Sequence, residues 1–275
     1  MTITAASPPA PHQQGILLIG HGTRDPAGLA EFEQLARLVQ QTRPDIPCAH
    51  CWLELAKPDI PAGIQLLVER GVRQILAAPL LLFAAGHAKA DIPTALTAAL
   101  REFPDVTARQ IPPLGLHPSI LALSATRLVD AVQIGSITTE LSAKENSWRQ
   151  SSQVGERFLL MIGRGAKDPA ATATMREFAA RRASESGVGR LLTCFLAVQR
   201  PQLWAGLEMA AQSLARVILV QPHLLFQGLL MTEIAASVAE YARNYPQKHW
   251  YLADHLGPAK ELAAVIVELC DQVEF

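Results

Sequence analysis

Residues 15–26 read GILLIGHGTRDP, and residues 158–169 read FLLMIGRGAKDP. The same offset of 143 aligns Trp52-Leu53-Glu54-Leu55-Ala56-Lys57-Pro58 with Phe195-Leu196-Ala197-Val198-Gln199-Arg200-Pro201, Pro79 with Pro222, and Phe83 with Phe226. One residue then drops out, so that Gly86 faces Gly228, Asp91 faces Glu233, and Leu114-Gly115 matches Leu256-Gly257. A match this long and in this order marks an internal duplication. It divides the 275 residues into two homologous lobes of about 120 each, a normal domain size.

Within each lobe the hydrophobic pattern alternates between strand and helix. Ile16–Ile19 is a short apolar run, as expected of a strand buried on both faces. Leu29, Phe32, Leu35, Leu38 and Val39 follow at helical spacing. Residues 48–53 read as a second strand, and Ile60, Ile64, Leu67 and Val68 as a second helix. Gln74–Phe83 is the third strand, Ile92–Phe103 a helix opened by Asp91 and Pro93, Val106–Ile111 the fourth strand, and Pro118–Val132 the fourth helix. The expected fold is α/β: two homologous lobes, each a parallel four-stranded sheet flanked by helices. Residues 1–14 read as a tail, 15–132 as the N-terminal lobe, 133–156 as a Ser/Thr/Gln/Asn-rich linker with room for a short helix, and 157–275 as the C-terminal lobe.

Composition narrows the function. A net charge of −1 offers no global positive field for nucleic acid or an anionic membrane. The longest apolar run, Ile75–Gly86, is interrupted by Pro79 and falls short of the roughly 20 residues a membrane span needs. The first residues have neither a basic start nor an apolar core, so no secretory signal is expected and the default location is the cytoplasm. Four cysteines are too few for a disulfide scaffold. Cys48-x-x-Cys51 looks like half of a metal or redox motif, but in a strand the two side chains face opposite sides and no second pair follows.

In a parallel sheet, every loop that follows a strand lies on one edge, and ligands bind there. His21 follows the first strand, Glu54 ends the second, His87 follows the third, and His117 follows the fourth. Two imidazoles and a carboxylate suit a divalent first-row metal. The second lobe serves as an internal control: at the positions of His21, Glu54 and His87 it carries Arg164, Ala197 and Leu229, while the surrounding glycines and prolines persist. The fold therefore does not need the three candidates, and their joint loss suggests that they work as a set. Asp25 and Asp91 read instead as helix-start residues, because Asp168 and Glu233 persist opposite them. His117 before Pro118 fits a helix cap as well as a role in the site, and His223 has no evident role.

Four motifs now stand together: Gly20-His21-Gly22-Thr23-Arg24-Asp25-Pro26; Leu53-Glu54-Leu55-Ala56-Lys57-Pro58; Pro79 to Pro93 with its Gly86-His87-Ala88-Lys89-Ala90-Asp91; and Pro113-Leu114-Gly115 before His117-Pro118. They resemble the sirohydrochlorin chelatases in their long, two-lobe form. The resemblance spans nearly the whole chain. It departs from some long members in having no His-rich tract and no C-terminal cysteine cluster for an iron–sulfur centre.

The resemblance implies insertion of a divalent metal, Co²⁺, Fe²⁺ or Ni²⁺, into sirohydrochlorin on the way to siroheme or cobalamin, with the metal a substrate and no permanently bound cofactor. His21 and His87 would hold the metal, assisted by Glu54, and the tetrapyrrole would lie between the lobes. Arg24, Lys57, Lys89 and Arg164 flank the motifs and are candidates to pair with its carboxylates. A fused pair of lobes supplies its own cleft, so a monomer suffices. The alternative on this scaffold is a non-enzymatic metal or tetrapyrrole carrier. A histidine phosphatase fits poorly, since Gly20 stands where an arginine should precede the histidine.

Overall fold

A computed structural model describes residues 14–83, 90–137 and 156–275. The first lobe runs β1 (Gln14–Gly20), α1 (Pro26–Thr42), β2 (Cys48–Trp52), α2 (Ile60–Glu69), β3 (Gln74–Pro79), α3 (Ile92–Leu100), β4 (Thr107–Gln110) and α4 (Pro118–Ile134). The second runs β5 (Arg157–Gly163), α5 (Pro169–Ser186), β6 (Arg190–Phe195), α6 (Leu203–Ala211), β7 (Val217–Pro222), α7 (Leu229–Asn244), β8 (His249–Leu252) and α8 (Lys260–Asp271). The sheets have the orders β2-β1-β3-β4 and β6-β5-β7-β8, and all pairings are parallel. The duplication read in the sequence is thus a duplication of topology.

Local chemistry explains where the helices start. Asp25 and Asp168 have extended backbones, and each accepts a hydrogen bond from the N–H two residues on; Pro26 and Pro169 follow at the first helical position. Asp91 does not act this way. Its backbone is already helical, at φ −71° and ψ −44°, so its side chain makes no capping bond to the first turn of α3. The third strand is also shorter than its apolar run suggests: it stops at Pro79, although the Leu80 N–H still donates to Ile19 O of β1.

Three cores follow from strand alternation. Leu17 and Ile19 of β1 face a core with Ile64 and Leu67 of α2 and Leu96 of α3. Leu160 and Ile162 of β5 face the matching core with Leu207 of α6 and Ile234 of α7. The opposite faces, Ile16 and Leu18 in one lobe and Leu159 and Met161 in the other, belong to a single central cluster with α1, α4, α5 and α8. Each lobe therefore completes its core with the other's helices, and at about 1.5–3 kcal/mol for each fully buried large apolar side chain this shared burial fixes how the two sheets sit. Cys51 lies in the outer core of the first lobe while Cys48 leans on the central one, as their strand spacing requires.

Candidate functional site

Two strand ladders continue past their last residues and bring the loops together. The Leu53 N–H donates to Gly20 O at 2.8 Å and the Glu54 N–H to His21 O at 3.1 Å, so the end of β2 stays zipped to the end of β1. Gly22 makes this possible. Its φ is +112°, and a Cβ there would stand 1.7 Å from Glu54 O, so only glycine fits. Above this backbone, His21 Nδ1 lies 3.3 Å from Glu54 Oε1, with the imidazole a quarter exposed and the carboxylate half exposed.

The second lobe keeps this backbone without the side chains. Leu196 N–H donates to Gly163 O and Ala197 N–H to Arg164 O, both at 3.0 Å. Gly165 has φ +87°, and its Cβ would meet Ala197 O at 1.9 Å. The His21–Glu54 pair is therefore an addition to a loop that stands without it. We expect Gly22→Ala and Gly165→Ala each to lower unfolding free energy by about 2 kcal/mol, since each forces a positive-φ residue against a carbonyl. Only Gly22→Ala should also move Glu54 away from His21. Denaturant unfolding checks the stability of both variants, and the imidazole NMR signals of His21 read its contact with Glu54; signals unchanged in Gly22→Ala would count against the pair.

The carboxyl ends of the central strands also meet across the lobes. Phe83, after β3, lies 5.2 Å from the His223 ring after β7 and 6.5 Å from Phe178 of α5, centroid to centroid. Phe226, the counterpart of Phe83, lies 6.0 Å from Phe32 of α1. Gln227 N–H donates to Glu31 Oε2 at 2.7 Å, and Glu31 also pairs with His255 Nε2 at 3.0 Å, while Asp254 holds the other ring nitrogen. Burial pushes the His255 pKa down, but the Asp254 and Glu31 carboxylates outweigh it and the net direction is up. These contacts hold the loops after β3 and β7 against helices of the opposite lobe.

His21 and Glu54 are the two candidates that the described residues bring together; His87 and Lys89 lie outside them. Among the described residues there is no cluster of three or more His, Cys, Asp or Glu side chains able to hold a metal. Arg24, Lys57 and Arg164 are exposed at the rims, and Lys57 pairs with Asp59. His117 is a cap: its Nδ1 accepts from the Ser119 N–H at 3.2 Å, and its Nε2 sits 3.2 Å from Glu268 of α8, which ties the lobes together. Burial pushes the Cys48 thiol up to about 12 and raises Cys51 further, so neither offers a thiolate near neutral pH. Sequence reading missed Glu31, Asp254 and His255; Glu31 lies far from the other two in the chain, and no spacing signals their meeting.

A family model described as CbiX matches residues 15–131 and again residues 158–273. The chain belongs to the CbiX family. The double match is the duplication seen from outside. Among the relatives of this CbiX chain, the sirohydrochlorin ferrochelatase of Priestia megaterium is 29% identical over 93% of this chain and 88% of its own length. The sirohydrochlorin cobaltochelatase of the same organism is 24% identical over 95% and 80%. A solved structure described as SirB from Bacillus subtilis with Fe³⁺ superimposes with a TM-score of 0.77 at 23% identity, covering 94% of this chain and 95% of that one; this likeness speaks for the fold. No helix among the described residues is long and apolar enough to cross a membrane.

Proposed function

We propose that this CbiX chain inserts a divalent first-row metal ion, Fe²⁺ or Co²⁺, into sirohydrochlorin, and that the first lobe handles the metal while the second holds the macrocycle. The observation that carries this is the His21–Glu54 pair at the rim of one sheet, on a loop whose copy carries Arg164 and Ala197. Relatives named for this reaction match along most of their length.

Insertion needs two pyrrole N–H protons to leave as metal–nitrogen bonds form. Glu54 beside Nδ1 favours the imidazole tautomer whose lone pair is on Nε2, the usual arrangement when a carboxylate orients a metal-binding histidine. His21, with His87 as its partner, holds the ion; imidazole and carboxylate bind it firmly enough to recruit it and release it to a four-nitrogen macrocycle. As the ion leaves, Glu54 and the freed His21 imidazole are placed to take the two protons. Anaerobic mixing of the protein with sirohydrochlorin and each metal, followed by absorption, tests the proposal. Binding of the tetrapyrrole without the absorption change of insertion would instead make the chain a carrier.

Arg24, Lys57, Lys89 and Arg164 pair with the substrate carboxylates in this reading, with Arg200 across the second rim. Neutralising Arg164 and Arg200 together, as glutamines, should raise KM by about threefold to tenfold, with kcat changed less, because exposed ion pairs are each worth only about 0.2–1 kcal/mol. Steady-state kinetics gives both constants, and an unchanged KM would remove the second lobe from substrate binding.

A further inference from the structure

The residue after Glu54 is a leucine in an unfavourable place. Leu55 has φ +65°, and the Ala56 N–H donates back to Glu54 O at 2.9 Å, two residues earlier. This is a γ-turn of the positive-φ kind, a rare and strained form. The second lobe repeats it: Val198 has φ +63°, and the Gln199 N–H donates to Ala197 O at 2.6 Å. The apex side chains are not tucked into a core. Leu55 is 53% exposed and Val198 57%.

A single exposed leucine is ordinary. The combination here is not. Positive φ favours glycine, and a β-branched valine is among the residues least suited to it. A glycine at either apex would relieve the backbone and remove apolar surface from water. The chain instead keeps a large apolar side chain at both apices, even in the lobe that carries neither His21 nor Glu54. Strain retained at matching positions of two lobes points to use of the side chains themselves. A basic residue stands two positions on in each lobe, Lys57 and Arg200. An apolar apex beside a cation complements a flat ring system with an apolar face and a carboxylate periphery.

We propose that Leu55 and Val198 are macrocycle-gripping residues, one from each lobe, that contact the apolar faces of the tetrapyrrole while the metal is handled next door at Glu54. This assignment rests on the chelatase reading. It is tested with full-length Leu55→Gly, Val198→Gly and Leu55→Met variants by three measurements: fluorescence titration with metal-free sirohydrochlorin, Co²⁺ titration without tetrapyrrole, and thermal unfolding. The glycine variants should bind sirohydrochlorin about fivefold more weakly each, with Co²⁺ affinity unchanged and melting temperature unchanged or higher; Leu55→Met should restore binding. Glycine variants that bind sirohydrochlorin like the parent protein overturn the assignment. So do glycine variants that melt lower and lose Co²⁺ affinity in step, because the side chains would then only support the turn. A parent protein that does not bind sirohydrochlorin overturns the chelatase reading itself, and this assignment with it.

Discussion

His21→Ala is expected to lower the metal insertion rate by on the order of a hundredfold or more, the usual effect of removing a group that holds or transfers a proton or ion at the reacting centre. The same change should leave the melting temperature where it is. The second lobe supports that second half of the expectation: Arg164 occupies the equivalent position, and the surrounding ladder, from Leu196 N–H to Gly163 O and from Ala197 N–H to Arg164 O, is intact. Glu54→Gln is the graded companion. Glutamine keeps one oxygen to face the ring but loses the charge and exchanges the other oxygen for an NH2 donor, so a drop of about tenfold is expected, in line with the removal of a carboxylate that orients a metal-binding histidine. Anaerobic insertion assays with Fe²⁺ and Co²⁺, run beside thermal unfolding, read both halves. Insertion by His21→Ala at the parental rate would move the metal to another part of the molecule. A large fall in melting temperature would make His21 a structural residue and its pairing with Glu54 incidental.

The sheets were legible because their central strands carry continuous apolar runs, and because the same runs recur 143 residues later. The overshoot of the third strand has a physical origin. Leu80–Phe83 are as apolar as a buried strand, yet they are buried outside the sheet: Leu80 is in the central core shared by both lobes, Leu81 packs on the first lobe's outer core, and Phe83 lies against Phe178 and His223 of the second lobe. Sequence pattern reports burial and not the agent of burial. The same limit hid the contacts between lobes. Glu31 reads as the polar face of an amphipathic helix, and nothing in its spacing signals His255. At the site, the glycines and the His21–Glu54 neighbourhood were readable, because a shared sheet edge gathers loops whose residues are distant in the chain. The γ-turns at Leu55 and Val198 were not, because those residues look like ordinary strand-end leucine and valine. Asp91 shows the converse limit: it stands at the start of α3 as its residue type suggests, but on a backbone that is already helical, so it makes no capping bond.

His223→Leu is expected to flatten the acid side of the stability curve. The first lobe supplies the comparison. Leu80 N–H donates to Ile19 O and His223 N–H to Ile162 O, so the two residues occupy the same backbone position, and the duplicated fold accepts leucine there. The imidazole of His223 is fully buried against Phe178, 4.0 Å between ring centroids, and neither nitrogen has a hydrogen-bond partner among the described residues. Burial alone pushes its pKa down to about 3. An unfolded chain takes up this proton near pH 6.5 and the folded chain does not, so between pH 6.5 and about 3 the unfolded state binds more protons and stability falls as pH falls. At about 1.4 kcal/mol per pH unit, the penalty from this one group reaches roughly 2 kcal/mol at pH 5. His255 works in the opposite sense, since its raised pKa adds stability below pH 6.5 that is lost as pH rises through the folded value; it is present in both proteins and cancels in their difference. His223→Leu should match or exceed the parent by about 1 kcal/mol at pH 7, because an unpaired buried polar group is removed, and its advantage should widen to about 3 kcal/mol at pH 5. Denaturant unfolding at pH 5, 6 and 7 measures the gap. Parallel curves for the two proteins would mean that the His223 ring finds a partner or reaches water in solution, and the buried neutral imidazole would have to be given up.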